Sequence, residues 1–137
     1  MIKNKKITAL ICLFVLILTV LLTGCIDTVK TIGWIQGQGN KATLQGAAPT
    51  DYKNYPLVKV EFLFDDEHHD ESNLDEYSKL EPTLTKERGN INYFEKTIFG
   101  LDPHQRYYFR AKATYAVLDG NLPSTIVGEE ISFSLTD

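Results

Sequence analysis

Cysteine is nearly missing from this chain. There are two, Cys12 and Cys25, and both lie in the first 25 residues. From Ile26 onward there is no thiol, which excludes a disulfide framework, a cysteine nucleophile and a thiolate zinc site in that part of the protein. Tryptophan and methionine occur once each, as Trp34 and Met1. Basic residues are in deficit, 14 against 18 acidic, so the chain as a whole is a poor match for nucleic acid. Amphipathic helical periodicity is weak, and no internal repeat, low-complexity tract or Ser/Pro-rich stalk is present. The sequence also contains no G-x-S-x-G, no H-E-x-x-H and no EF-hand glycine pattern, which removes the usual signals of a serine hydrolase, a zincin or a calcium loop. No catalytic residue and no cofactor are expected, and the chain is read as a non-enzyme.

Only one long apolar run is present, Ile7 to Leu22, "ITALICLFVLILTVLL", preceded by Lys3, Lys5 and Lys6. It is slightly short for a relaxed bilayer span of about 20 residues. A basic start, a short apolar stretch and the small residues Thr23 and Gly24 together read as a secretory signal. The order Leu22-Thr23-Gly24-Cys25 that closes it resembles the lipobox of prokaryotic lipoproteins. That resemblance implies a lipid on the Cys25 sulfur and cleavage just before it. Residues 1–24 would then be a signal peptide, 25–30 the lipidated cysteine with a short tether, and 31–137 the domain. Loss of the three leader lysines leaves 11 basic against 18 acidic residues, a net charge of −7. The alternative is an uncleaved leader helix that anchors the same domain. In both cases the domain is expected on the extracytoplasmic face of the cell membrane.

From Thr31 the apolar period switches to two, bounded by Gly, Pro, Asn and Asp, which predicts strands. "KATLQGAA" sets Ala42, Leu44, Gly46 and Ala48 on one side. "LVKVEFLF" sets Val58, Val60, Phe62 and Phe64 inward, with Lys59 and Glu61 outward. "RYYFRAKATYA" alternates most cleanly, with Tyr107, Phe109, Ala111, Ala113 and Tyr115 on one face and Tyr108, Arg110, Lys112 and Thr114 on the other. "EEISFSL" points Ile131, Phe133 and Leu135 inward. Several short strands with one apolar face each must close on one another, so the predicted class is all-β, an antiparallel two-sheet sandwich. "APTDYKNYP" reads as a loop, and "ESNLDEYSKLEP" as loop plus a short edge strand.

Between two strands stands Leu101-Asp-Pro103-His-Gln-Arg-Tyr107, after Gly100. An inward tyrosine at that place can return its hydroxyl to backbone a few residues upstream, the tyrosine corner of Greek-key sandwiches. With "ATLQG", "VKVEFLF", "IFGLDPHQRYYFRAKATYA" and "VGEEISFSLTD" in order, the chain resembles fibronectin type III and related immunoglobulin-like domains of prokaryotic surface proteins. The resemblance implies adhesion, spacing or ligand presentation, and no chemistry. Residues 65–90 match no part of that pattern, and Trp34, which lies in the first strand, is expected to be largely buried.

Three regions are candidate sites. The outward row Tyr108, Arg110 and Lys112 suits a docking face, since Tyr and Arg are enriched in binding hot spots. The competing expectation is an ordinary charged sheet face with Arg110 or Lys112 paired to Glu61. Tyr52 and Tyr55 form a second possible contact region for a protein or glycan partner. The stretch "DDEHHDESNLDE" is expected to be a solvated acidic loop without a built metal site. Asp65, Asp66, His68, His69 and Asp70 are its weak alternative, a divalent-cation sensor. An accessory role in a larger membrane assembly is a further alternative.

Overall fold

A computed structural model describes residues 28–117 and 122–136. The expected signal peptide, residues 1–24, the expected lipid-attachment residue Cys25 and the first residues of the expected tether lie outside the described residues. The strands in chain order are β1 (Lys30–Gly37), β2 (Lys41–Pro49), β3 (Asp51–Tyr52), β4 (Tyr55–Asp65), β5 (Ser78–Leu80), β6 (Leu84–Arg88), β7 (Ile91–Ile98), β8 (Tyr107–Tyr115), β9 (Ser124–Val127) and β10 (Ile131–Phe133). One short 3-10 segment, Glu71–Glu76, precedes β5. One antiparallel sheet has the order β1-β2-β7-β6, and the other β10-β8-β4-β3, with β5 beside β4 and β9 beside β8. The architecture is the expected all-β pair of sheets.

The alternation seen in the sequence explains which faces meet. Ala42, Leu44 and Ala48 of β2, Phe94 of β7, and Phe62, Phe109, Ala111, Ala113 and Tyr115 of the opposite sheet are all buried in one core. Small residues on β2 let the sheets approach. A Cβ on Gly46 would stand 2.8 Å from Phe94 Cζ and 2.9 Å from Ala111 Cβ, so the ring of Phe94 occupies the space that a side chain at 46 would need.

One edge is closed by β1. Trp34 stacks on Phe133 with ring centroids 4.8 Å apart, and Gln36 exchanges hydrogen bonds with the Thr136 backbone. Thr31 Oγ1 accepts the Ala111 N–H at 3.0 Å, so β1 reaches across to the second sheet. Trp34 is half-buried, less than expected, because the edge position leaves part of its ring in water. Val29, assigned above to the tether, is buried and belongs to the core.

Three sequence expectations are corrected. Val58 does not point inward: it is 63% exposed. A bulge between Leu57 and Lys59 inserts it as the extra residue and turns it outward, leaving Leu57 and Val60 against the core. The stretch 48–56 is not an open loop: Ala48 and Pro49 still belong to β2. β3 pairs with the start of β4 through Asp51↔Pro56 and Tyr52↔Tyr55, and Lys53 and Asn54 both take positive φ, the backbone that a two-residue hairpin of matching twist requires. Tyr52 and Tyr55 are consequently packed against the core, and Tyr52 lies 5.7 Å from the ring of Tyr115.

The corner before β8 forms as its residues imply. Gly100 has φ +70°, Leu101 is buried, Pro103 lies in the crossing turn, and the Asp102 N–H donates to the Tyr107 hydroxyl at 2.8 Å. A Tyr107→Phe variant keeps the ring in place and loses this bond. Its expected cost is about 1 kcal/mol, read from the denaturant midpoint; no shift would show that water replaces the bond without penalty.

Candidate functional site

The outer face of the second sheet carries an acidic cap. Glu61, Leu63 and Arg110 point away from the core, yet their exposures are 5%, 1% and 6%. The face is therefore covered. Leu63 pairs with Arg110 and Glu61 with Lys112 in register, and the chain from Asp65 to Tyr77 folds back over them before β5 pairs with the end of β4.

Arg110 is the centre of the arrangement. Opposite it, the strand partner of β8 is interrupted between β9 and β10: Lys112 pairs with Val127 and Phe109 with Ile131, so Gly128, Glu129 and Glu130 face two residues. The interruption frees the Gly128 carbonyl, which accepts Arg110 Nη1 at 3.1 Å. Arg110 Nη2 donates to the His69 carbonyl at 3.3 Å, and Nε to the Tyr77 hydroxyl at 3.2 Å. A fork of fixed donors thus ties one sheet strand to two points on the cap. Gly128 is required at the interruption, because a Cβ there would sit 2.6 Å from the Thr31 backbone nitrogen.

Glu130 is the second anchor. Its carboxylate accepts the Tyr77 hydroxyl, a ring nitrogen bond from His68, and the His69 N–H at 3.2 Å. His68 also meets Asp70 at 3.1 Å. His69, which is buried, lies between Asp65 at 2.5 Å and Glu76 at 3.0 Å. Each imidazole is clasped by two carboxylates. The hydrogen bond to Glu130 raises the His68 pKa, and the one to Asp65 raises that of His69. Burial pushes the Asp65 and Glu130 carboxyls upward. Hydrogen bonds outweigh it, chiefly from His69 at Asp65 and from Tyr77 and His68 at Glu130, and hold both below the usual range.

These shifts set a pH window. A raised histidine pKa stabilises the fold below the ordinary 6.5, and that contribution is lost as pH rises through the raised value. A lowered carboxyl pKa stabilises above the ordinary 3.8 or 4.5, and that contribution is lost as pH falls through the lowered value. Both are present together between 4.5 and 6.5. Thermal stability is expected to peak there and to fall toward pH 9, with the alkaline fall reduced in a His68→Asn/His69→Gln variant. A melting temperature that stays level or rises between pH 6.5 and pH 9 would contradict the clasp.

The expected exposed row Tyr108-Arg110-Lys112 is corrected at Arg110, which the cap buries. Lys112 takes the paired role, with its Nζ 3.0 Å from Glu61, and Lys59 approaches the same carboxylate at 3.6 Å. Tyr108 is half-buried, with its ring 6.1 Å from that of His68. The stretch 65–76 is not merely a solvated loop. Its acids are largely exposed, but it is fastened to the sheet through His69. Asp65, Asp66, His68, His69 and Asp70 do not converge on one point, and among the described residues no three His, Cys, Asp or Glu side chains are grouped to hold a metal ion. Tyr77, Gly128 and Glu130 complete the cap and were not singled out as site residues from the sequence. The glycine and two acids interrupting the alternation opposite Arg110 were the available signal. Compared with known protein families, curated proteins and solved structures, the chain matches none.

Proposed function

We propose that this protein is a lipid-anchored, non-catalytic binding or presentation module on the extracytoplasmic face of a prokaryotic membrane, carrying one immunoglobulin-like domain of the fibronectin type III kind. The observation that carries the reading is Leu22-Thr23-Gly24-Cys25 at the end of a basic-then-apolar leader. Two acyl chains on one residue hold a protein at a bilayer where one chain gives only marginal binding. The domain class is supported by two antiparallel sheets and by the bond from Asp102 to the corner Tyr107. A non-catalytic role is supported by the cap, whose two imidazoles are each engaged by carboxylates and whose guanidinium holds backbone carbonyls.

Intact-mass analysis of the protein extracted from its own membranes tests the reading. The expected species begins at Cys25 and carries the mass of the lipid, and Cys25→Ser yields a longer, unmodified chain. An unmodified chain beginning at Met1 in the wild type would remove the lipid anchor from the proposal.

A further inference from the structure

We propose that copies of this chain stack front to back, with the outer face of the β1-β2-β7-β6 sheet seated on the acidic cap of the next copy. The partner is a second copy of this chain, and the contact does not depend on the lipid at Cys25.

Strand register shows what that outer face carries. Ala42, Leu44 and Ala48 of β2 point into the core, so Thr43, Gln45 and Ala47 point out, together with their partners across the sheet. Ile35 and Thr97 flank Thr43. Glu95 lies beside Gln45 with Leu84 beyond it, and Tyr93 beside Ala47 with Lys86 beyond it. Phe99 follows the end of β7, and the Lys41 ammonium stands over its ring, 5.8 Å from the centroid. Ile35, Leu84 and Phe99 are 47%, 58% and 70% exposed, three of the five large apolar side chains exposed among the described residues. Between them Thr43 bonds to Thr97 and Gln45 to Glu95, so the middle of the face is polar but internally satisfied. The opposite outer face has its cap, whereas these three apolar groups stand in water.

Charge selects the occupant. From Ile26 onward the chain has 11 basic and 18 acidic residues, yet five of the bases and only two of the acids lie on β1, β2, β6 and β7. Lys30, Lys41, Lys86 and Arg88 are on the outward side of these strands, against Glu95 alone. Residues 65–76 carry seven acids and two histidines, so the cap holds −5 even with both imidazoles protonated. Lys59, Lys79, Arg110 and Lys112 of the sheet beneath, with Glu61, Glu129 and Glu130 beside them, leave that side at −4. Glu67, Glu71 and Asp75 are exposed on it. Two copies joined through their outer sheet faces would oppose like charge, and so would two joined through their caps. The sheet face of one copy against the cap of another joins opposite charge and takes the three apolar side chains out of water. Each copy presents both surfaces, so the contact is heterologous and repeats along a row.

The test is cross-linking of the full chain in its own membranes with a short bismaleimide, read against the chain without an introduced cysteine. Ile35→Cys marks the sheet face and Asp75→Cys the cap, and both positions are exposed. Neither variant alone should give a product. The two expressed together should give a mixed dimer, and the double variant a ladder of multimers. The ladder should be lost at about 1 M salt, where screening shortens to about 3 Å, and in a double variant that also carries Lys86→Glu and Arg88→Glu. A dimer from Ile35→Cys alone or from Asp75→Cys alone overturns front-to-back stacking. So does a product joining Ile35→Cys to a different acidic protein, or a double variant that stays monomeric.

Discussion

Replacing Phe62 with alanine is expected to lower the unfolding free energy by about 4 kcal/mol, from the lost transfer of a buried ring and the cavity it leaves. Phe62 has no exposure and sits where the two sheets press together, with ring centroids 5.0 Å from Phe94 and 6.1 Å from Phe109. Two aromatic partners are lost with it, each worth about 0.5–1.5 kcal/mol beyond area. Collapse into the gap is hindered, because the strands on both sides are held in register by β8 and by β5. A domain of this size is stable by only about 5–15 kcal/mol, so the variant loses a large share of its stability. Urea titration checks it: the midpoint falls while the slope is kept. A loss below about 1.5 kcal/mol, the cost typical of a volume-conserving swap, would mean that the core is centred elsewhere.

Arg110→Met is expected to cost about 3 kcal/mol and to act on the cap. Methionine retains an apolar stem over the sheet and removes the guanidinium. The carbonyls of Gly128 and His69 and the hydroxyl of Tyr77 each lose a charged donor, and such bonds contribute about 1.5–3 kcal/mol where burial denies them water. The ion pair with Glu71, at 3.9 Å to a largely exposed carboxylate, contributes little. Hydrogen exchange separates this from a general loss of stability. Amides of residues 69–77 should lose protection more than those of β2 and β7. Uniform loss across both sheets would show that Arg110 supports the sandwich and does not fasten the cap.

Local alternation made much of the sandwich legible in the sequence. The inward row of β8 and the inward Ile131, Phe133 and Leu135 follow from period two alone, since a strand with one greasy face has one way to bury it. The corner was legible because glycine, proline and an inward tyrosine have separate physical reasons to stand there. Val58 was misread because a bulge adds one residue and reverses every facing before it, and the bulge has no residue signature here. β6 was missed because all five of its residues are exposed, so no alternation marks it. The hairpin at Lys53 and Asn54 lacks the glycine that announces such turns.

The amino-acid order alone determined the class of the fold, through side chains that alternate between water and core, and it set Cys25 directly after an apolar run. Only the tertiary structure decided that Arg110 is buried and that His68 and His69 hold a cap together. Those facts depend on contacts between residues up to 62 positions apart, such as His68 with Glu130. Periodicity reports only which way a side chain leaves its own strand. What then covers that side chain is settled by the return of a distant segment.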